Sequence, residues 1–129
     1  HNYGTVFVTV CDRDKEEALP LIRRFYNLGF NIEATEGTAR FLKRNGIRTR
    51  ILGKIGEGSD DIQKALRQGH ITYVVNTGDV TVAAENSDGY RIRQIATENN
   101  ITMFTSLDTV RVLLDVLEET TFAVSTIDS

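Results

Sequence analysis

The stretch T-V-F-V-T-V-C-D-R-D-K, residues 5–15, predicts a strand that leads through a polar turn into a helix. Its first six residues are apolar or β-branched, which is typical of a short buried strand. Beyond the turn, apolar residues recur at the i, i+3, i+4, i+7 spacing of an amphipathic helix: Ala18, Leu21, Ile22 and Phe25. A strand followed directly by a helix is the repeating unit of an α/β fold.

The limits of this first helix are marked by single residues. Asp14 and Glu17 have the spacing of a capping box, which predicts that the helix begins at Asp14. Gly29 predicts its end. Pro20 falls beyond the first turn and therefore predicts a kink or a late start.

The rest of the chain alternates in the same way. Strands are predicted at residues 5–10, 30–34, 50–52, 71–75 and 101–104. Further helices are predicted at residues 38–45, around Ile62 to Leu66, at 88–99 and around Val110 to Leu117, with a mobile glycine-rich loop at 53–59 and a polar tail, an arm or a link, at 120–129. This order favours a three-layer α/β/α domain over residues 1–129, with a five-stranded parallel sheet of Rossmann-like or flavodoxin-like topology.

Composition excludes several classes of protein. The formal charge of -3, from 15 basic and 18 acidic residues, provides no general attraction for nucleic acid or an anionic membrane. The apolar runs are far too short to span a bilayer. The lone Cys11 favours a reducing, cytoplasmic setting. Because the chain opens on His1 rather than methionine, we expect it to be a piece of a longer polypeptide.

Ligands of parallel α/β sheets bind beyond the carboxyl ends of the strands. At one such end lies the segment Thr35-Glu36-Gly37-Thr38. Its two hydroxyls, its glycine and the start of a helix predict a cradle for a phosphate group. The alternative is that Thr35 or Thr38 only caps the helix.

Other turns at the same edge add candidates. Lys15 and Lys54 are each able to add a positive charge to the same phosphate, or are solvated surface lysines. Asn76 and Thr77 suit a ribose or a base edge, or only cap a turn. Arg93, close to a helix start where cations are unfavourable, indicates either an anionic ligand or pairing with acidic neighbours.

Groups typical of catalysis are few. The chain has two histidines, His1 and His70, and a surface turn explains His70. Walker, dinucleotide, nucleophile-elbow and paired-cysteine motifs are absent from the sequence. Aspartates at positions 60, 61 and 79 could act as acid and base, but helix capping and turn formation explain them as well. The sequence therefore favours binding over catalysis.

Six motifs, taken together and in order, resemble the methylglyoxal-synthase-like domain, most closely the version that ends the large subunit of carbamoyl phosphate synthase. The motifs are T-V-F-V-T-V-x-D-R-D-K at 5–15, L-G-F at 28–30, A-T-E-G-T at 34–38, G-K-I-x-E-G-S at 53–59, V-V-N-T at 74–77 and D-G-Y-R-I-R-Q-I-A at 88–96. The likeness covers nearly the whole chain.

The resemblance implies a regulatory module, without a catalytic residue, metal or cofactor of its own, at the carboxyl end of a ligase. It implies a nucleotide effector such as UMP or IMP that tunes carbamoyl phosphate synthesis for pyrimidine or arginine biosynthesis. Its motifs put Lys15, Thr35, Thr38 and Lys54 around the phosphate, and Asn76 and Thr77 beside ribose or base. ATP with Mg²⁺ or Mn²⁺ is expected elsewhere in the parent enzyme, whose remaining large subunit and glutaminase small subunit are the expected partners.

Departures from the family pattern leave the effector open. The sequence has Ile92-Arg93-Gln94 where relatives often have I-R-R, and no basic residue from Thr77 to Tyr90. Phosphoribosyl pyrophosphate is therefore an alternative effector.

Three other functions are alternatives for the chain. An active lyase of the methylglyoxal synthase type needs a carboxylate where such enzymes carry G-G-D-Q-Q, and Ser59 stands there. An IMP cyclohydrolase would carry a basic run that this sequence lacks. An interaction module without any ligand also stays open.

Overall fold

The computed structural model of the chain describes residues 4–53, 61–77 and 88–128. The strands are β1 (Thr5–Thr9), β2 (Asn31–Thr35), β3 (Thr49–Leu52), β4 (Ile71–Asn76) and β5 (Thr102–Phe104). The helices are α1 (Lys15–Leu28), α2 (Glu36–Arg44), α3 (Asp61–Arg67), α4 (Asp88–Glu98) and α5 (Leu107–Asp128), with a short 3-10 turn at Asp12–Asp14. The predicted alternation of strands and helices is confirmed.

All strand pairs in the sheet are parallel, in the order β3-β2-β1-β4-β5. Of the two predicted topologies, this is the Rossmann order. The chain moves outward from β1 through β2 to β3, then crosses back to β4 on the other side of β1. The point where the order reverses therefore lies between β1 and β4, and such a point opens a crevice at the carboxyl edge.

Two apolar clusters fill the space between the sheet and its helices. On one face, α1, α2 and α5 pack against side chains such as Val6, Val8 and Ile32. On the other face, α3 and α4 pack against Phe7 and Val74. Because residues alternate between the faces of a strand, β1 contributes to both clusters and is the central strand of the core.

The start of α1 differs from the prediction. Asp14 occupies the N-cap position, but its side chain makes no capping hydrogen bond, so the predicted capping box is wrong. A 3-10 turn precedes the helix and directs the Asp14 carboxylate towards Cys11 instead. The helix also begins at Lys15 and continues through Pro20, so the predicted late start is wrong. Its predicted end is confirmed, because Gly29 adopts a left-handed φ of 107°.

The predicted polar tail is part of a helix. α5 continues to Asp128 because neither glycine nor proline interrupts residues 107–128, and Leu114, Leu117, Val124 and Ile127 keep a helical spacing. Arg24 on α1 pairs with Asp115 and Glu118, which ties α5 to the core. Among the described residues, no helix combines the length and apolar character needed to cross a membrane.

Two other differences concern the functional site. α2 begins at Glu36, two residues before its predicted start, so Thr35 becomes its N-cap residue. The predicted glycine-rich loop, apart from Gly53, lies outside the described residues.

Three glycines differ in what they require of the backbone. Gly4 has a φ of 104°, and a Cβ there would lie 2.1 Å from Oγ1 of Thr72. Gly46 has a φ of 83° but open space around it, whereas Gly37 has open space and no left-handed φ. At Gly4 a side chain would meet both an unfavourable φ and a steric conflict, at Gly46 only the unfavourable φ, and at Gly37 neither.

We therefore expect a graded effect of alanine at these positions on the free energy of unfolding. Gly46→Ala should cost about 1–2 kcal/mol from the left-handed backbone alone. Gly4→Ala should cost more, because Thr72 must also move. Gly37→Ala should stabilise α2 by about 0.5–1 kcal/mol. Urea unfolding measures all three, and equal losses at Gly4 and Gly46 would contradict the steric conflict with Thr72.

Candidate functional site at the carboxyl edge of the sheet

The end of β1 borders the crevice between β1 and β4. The Thr77 backbone N–H donates to the carbonyl of Thr9 at 3.1 Å, which extends the ladder one residue past β4. At the next rung, the Cys11 N–H donates to the side-chain oxygen Oγ1 of Thr77 at 3.3 Å. Thr77 is only 7% exposed. Its hydroxyl therefore bridges the two strands where they begin to separate.

Thr38 holds the other side of the same strand end. Its Oγ1 accepts a hydrogen bond from the Val10 N–H at 3.2 Å and lies 3.4 Å from the Val10 carbonyl oxygen, to which the hydroxyl donates. Thr38 is buried in the first turn of α2. The start of α2 is thus fixed to the end of β1 by one side chain.

Thr35 is the N-cap residue of α2, but its hydroxyl makes no capping hydrogen bond. It instead donates to Oγ1 of Thr9 at 3.3 Å and lies 3.5 Å from Oγ1 of Thr38. The alternative that Thr35 only caps the helix is therefore wrong. The first turn of α2 is left without a side-chain cap, and Gly37 on that turn is exposed with open space around it. This positive helix end suits an anion.

Lys15 brings a positive charge to this edge. Its Nζ donates to the carbonyl of Val10 at 3.2 Å and pairs with the carboxylate of Asp12. The lysine side chain is 16% exposed, whereas that of Asp12 is 98% exposed. The hydrogen bond and the charge of Lys15 lower the pKa of Asp12 below its usual value. Since Asp12 is free to swing into solvent, an anionic ligand could take its place on Lys15.

Cys11 and Asp14 form a second polar pair at the mouth of the crevice. The thiol Sγ donates to Oδ2 of Asp14 at 3.0 Å. This hydrogen bond is the main cause that lowers the pKa of Asp14, with smaller contributions from Thr77 and Arg13. The thiol of Cys11 is thus held in place by Asp14 at the end of β1.

The structure brings together some of the predicted site residues and not others. Lys15, Thr35, Gly37, Thr38 and Thr77 converge around the end of β1. Asn76 ends β4 next to them, but its Nδ2 lies 3.9 Å from Sδ of Met103, on the β5 side.

One predicted residue does not join this cluster, and another lies outside the described residues. Arg93 is exposed on the second turn of α4, and its side chain forms no ion pair with any described residue. Lys54 lies outside the described residues, as do Gly78 and Asp79 of the predicted turn.

His70, which the sequence explains by a surface turn, also contacts a buried carboxylate. His70 Nε2 lies 3.0 Å from Oε2 of Glu33, whose side chain is only 6% exposed. This pair is at the amino edge of the sheet, opposite the candidate site. A glutamate between Ile32 and Ala34, in the middle of the strand N-I-E-A-T, was the signal in the sequence.

What the carboxyl edge can do chemically follows from these contacts. Within residues 4–53, 61–77 and 88–128, no group of three histidine, cysteine, aspartate or glutamate side chains is placed to hold a metal ion. The described groups are suited to hold an anion through a helix end and a lysine.

Replacing Thr38 with valine tests the structural role of its hydroxyl. Thr38→Val keeps the shape but leaves the buried Val10 N–H without an acceptor, so we expect a loss of about 1–3 kcal/mol in the free energy of unfolding. Thr102→Val, at an exposed position of β5, is the control and should change stability by less than about 0.5 kcal/mol. Similar unfolding midpoints in urea for the two variants would argue against the role of Thr38.

The pKa of Asp14 should depend on Cys11. A lowered folded-state pKa means that Asp14 stabilises the fold at pH above its ordinary value of 3.8, and that this contribution is lost as the pH falls through the lowered pKa. Cys11→Ala removes the donor and should raise the Asp14 pKa towards 3.8, whereas Cys11→Ser keeps a donor. Carbon-13 NMR titration of the Asp14 carboxyl group measures this pKa. An unchanged pKa in Cys11→Ala would refute this cause.

Comparison with known proteins gives the chain its relatives. Residues 17–105 match the family model described as "MGS-like domain". A solved structure of methylglyoxal synthase from Elizabethkingia anophelis NUHP1 is similar, with a TM-score of 0.70 and 16% sequence identity over 86% of this chain and 76% of that one. The solved structure of ForH is also similar, with a TM-score of 0.59 and 21% identity over 90% of this chain and 80% of that one.

The two structural likenesses concern the fold, whereas the family model covers well over half of the chain, including β2, α2 and β4 at the candidate site. The chain belongs to the MGS-like domain family.

Proposed function

We propose that this domain is a regulatory module that senses a nucleoside monophosphate at the carboxyl edge of its sheet. The observation that carries the proposal is the convergence of Lys15, the uncapped start of α2 and the exposed Gly37 around the end of β1. These groups are complementary to one phosphate. The proposed parent is carbamoyl phosphate synthase, with this chain at the end of its large subunit.

In the proposed complex, the phosphate lies against the first turn of α2. Gly37 lets it approach the backbone closely, because no Cβ stands in the way. The phosphate replaces the Asp12 carboxylate on Lys15, and Lys54 adds its charge from the neighbouring turn. Asn76 and Thr77 face the ribose or base, and Arg93 contributes only long-range charge.

Binding is favoured over catalysis by the described groups at this edge. The carboxylate of Asp12 pairs with Lys15 and that of Asp14 accepts from the Cys11 thiol; these contacts lower the pKa of both groups, so each is a weak general base. His70 lies at the opposite edge, bonded to Glu33. A lyase of the methylglyoxal synthase type remains the second candidate, because a solved structure of that enzyme shares the fold.

Regulation requires that the nucleotide bind two states of the parent enzyme with different affinity. The proposed ligand contacts α2, the end of β1 and the end of β4, so it favours whichever state brings these three elements together. UMP as an inhibitor and IMP as an effector of the same site would differ only in the base contacts.

Isothermal titration calorimetry with UMP, IMP and phosphoribosyl pyrophosphate tests the proposal, with uridine as the ligand that lacks the phosphate. We expect at least one phosphorylated ligand to bind and uridine to bind far more weakly. Lys15→Gln should weaken binding by about 1.5–3 kcal/mol, the value of a hydrogen bond to a charged group. Lys43→Gln, exposed at the far end of α2, is the matched control.

Gly37→Ala is a second test of the site. Its Cβ would meet the phosphate, so we expect weaker ligand binding, while the free protein should be no less stable than the unsubstituted one. No heat from any of the three phosphorylated ligands in the folded protein would reject the sensor. Formation of methylglyoxal from dihydroxyacetone phosphate, measured by a colorimetric assay, would replace it with the lyase.

A further inference from the structure

A cleft of about 840 Å³ opens at the amino edge of the sheet, away from the proposed nucleotide site. It is bordered by the beginnings of β1, β2, β3 and β4, with Tyr26 of α1 at one side. The side chains that give it chemical character are Glu33, Arg48, Arg50 and His70. None of them takes part in the contacts of the carboxyl edge.

Glu33 is the unusual residue of this cleft. It lies in the middle of β2 and is 5% exposed. One carboxylate oxygen pairs with Nε2 of His70, while the other, Oε1, is buried and has no hydrogen-bond partner within residues 4–53, 61–77 and 88–128. A buried carboxylate that is only half satisfied is costly and calls for an explanation. Its visible effect is to orient the ring of His70, which is one-third exposed and lines the cleft.

The orientation of His70 determines what its second nitrogen can do. A carboxylate accepts hydrogen bonds, so Nε2 carries the proton and Nδ1 is the acceptor in the neutral ring. Among the described residues, Nδ1 has no partner. A group that donates a hydrogen bond, such as a hydroxyl, is the complement of this nitrogen.

Arg48 and Arg50 bring two positive charges to the same cleft. Arg48 directly precedes β3 and Arg50 is its second residue, so their Cα atoms are about 7 Å apart along an extended chain. Neither guanidinium pairs with a carboxylate of a described residue, although Arg50 and Glu33 are neighbours in the strand register. Two guanidiniums that lack a carboxylate partner within the described part of the chain are complementary to two anionic groups on one molecule.

We propose that the amino-edge cleft is a second ligand site, which binds a small hydroxylated dianion through Arg48, Arg50 and Nδ1 of His70. Glu33 is a positioning residue that holds the imidazole for this contact. The site does not depend on the proposed nucleotide function.

The competing explanation is that the two arginines only protect the edge strand β3 from pairing with another chain, which charged side chains commonly do. That role needs neither a cleft nor a buried glutamate that orients a histidine. The two explanations differ in whether a dianion binds and saturates.

Amide NMR titration of the 129-residue chain with malate, succinate and pyrophosphate distinguishes them. Malate is succinate with one added hydroxyl, so we expect it to bind at least three-fold more tightly, with saturating shifts at Gly4, Gly69 and Thr72. Tighter binding of pyrophosphate with the same shifts would support the site and assign it to phosphoryl groups. Shifts that never saturate, or that centre on Thr35 and Gly37, would overturn the proposal.

Variants test the individual contacts. Arg48→Gln and Arg50→Gln should each weaken malate binding at least five-fold, while Arg44→Gln, exposed on α2 outside the cleft, should not. Equal weakening by all three would overturn the site in favour of general charge attraction.

His70→Gln should remove the preference for malate but keep succinate binding, which also serves as its control for folding. If that variant does not fold, the Nδ1 resonance of His70 in the unsubstituted protein gives the answer, because malate should shift it and succinate should not. An unshifted Nδ1 would overturn the contact.

Discussion

The end of the central strand depends on side-chain hydroxyls for its backbone hydrogen bonds. Beyond Thr9, β1 leaves the regular ladder of the sheet. On one side β2 ends and α2 begins at Glu36, and on the other side β4 ends at Asn76. The N–H groups of Val10 and Cys11 are instead paired with the hydroxyls of Thr38 and Thr77. A buried N–H without an acceptor is costly, so these two threonines determine where the first turn and the start of α2 can lie.

This arrangement decides which groups remain for a ligand. The hydroxyls of Thr35 and Thr38 were expected to be phosphate donors, but both are already engaged within the fold. What they leave accessible is the backbone of the first turn of α2, with Gly37 at its surface and Lys15 beside it. Binding here therefore rests on the helix end and one lysine, and the threonines keep these two in register.

The fold could be predicted from the sequence because hydrophobic periodicity and glycine stops are local signals. The five strands and most of the helices lie close to their predicted positions. What could not be predicted were contacts between distant segments. The Asp14 carboxylate accepts a hydrogen bond from Cys11 instead of capping α1. The helical spacing of apolar residues continues through the polar residues 120–128, and α5 continues with it. The pairing of His70 with Glu33 spans 37 positions along the chain, so no local pattern contained it.

The same limit applies to charge. A net charge of -3 suggests a chain that repels anions, yet charge acts over a distance of about 8 Å in physiological salt. Lys15 at one end of the strands and Arg48 with Arg50 at the other are separated by the length of β1 and β2, so each edge acts electrostatically on its own. Parallel strands make this separation possible, since every strand begins at one edge and ends at the other. A ligand at either edge therefore contacts several strands at once without changing the field at the other edge.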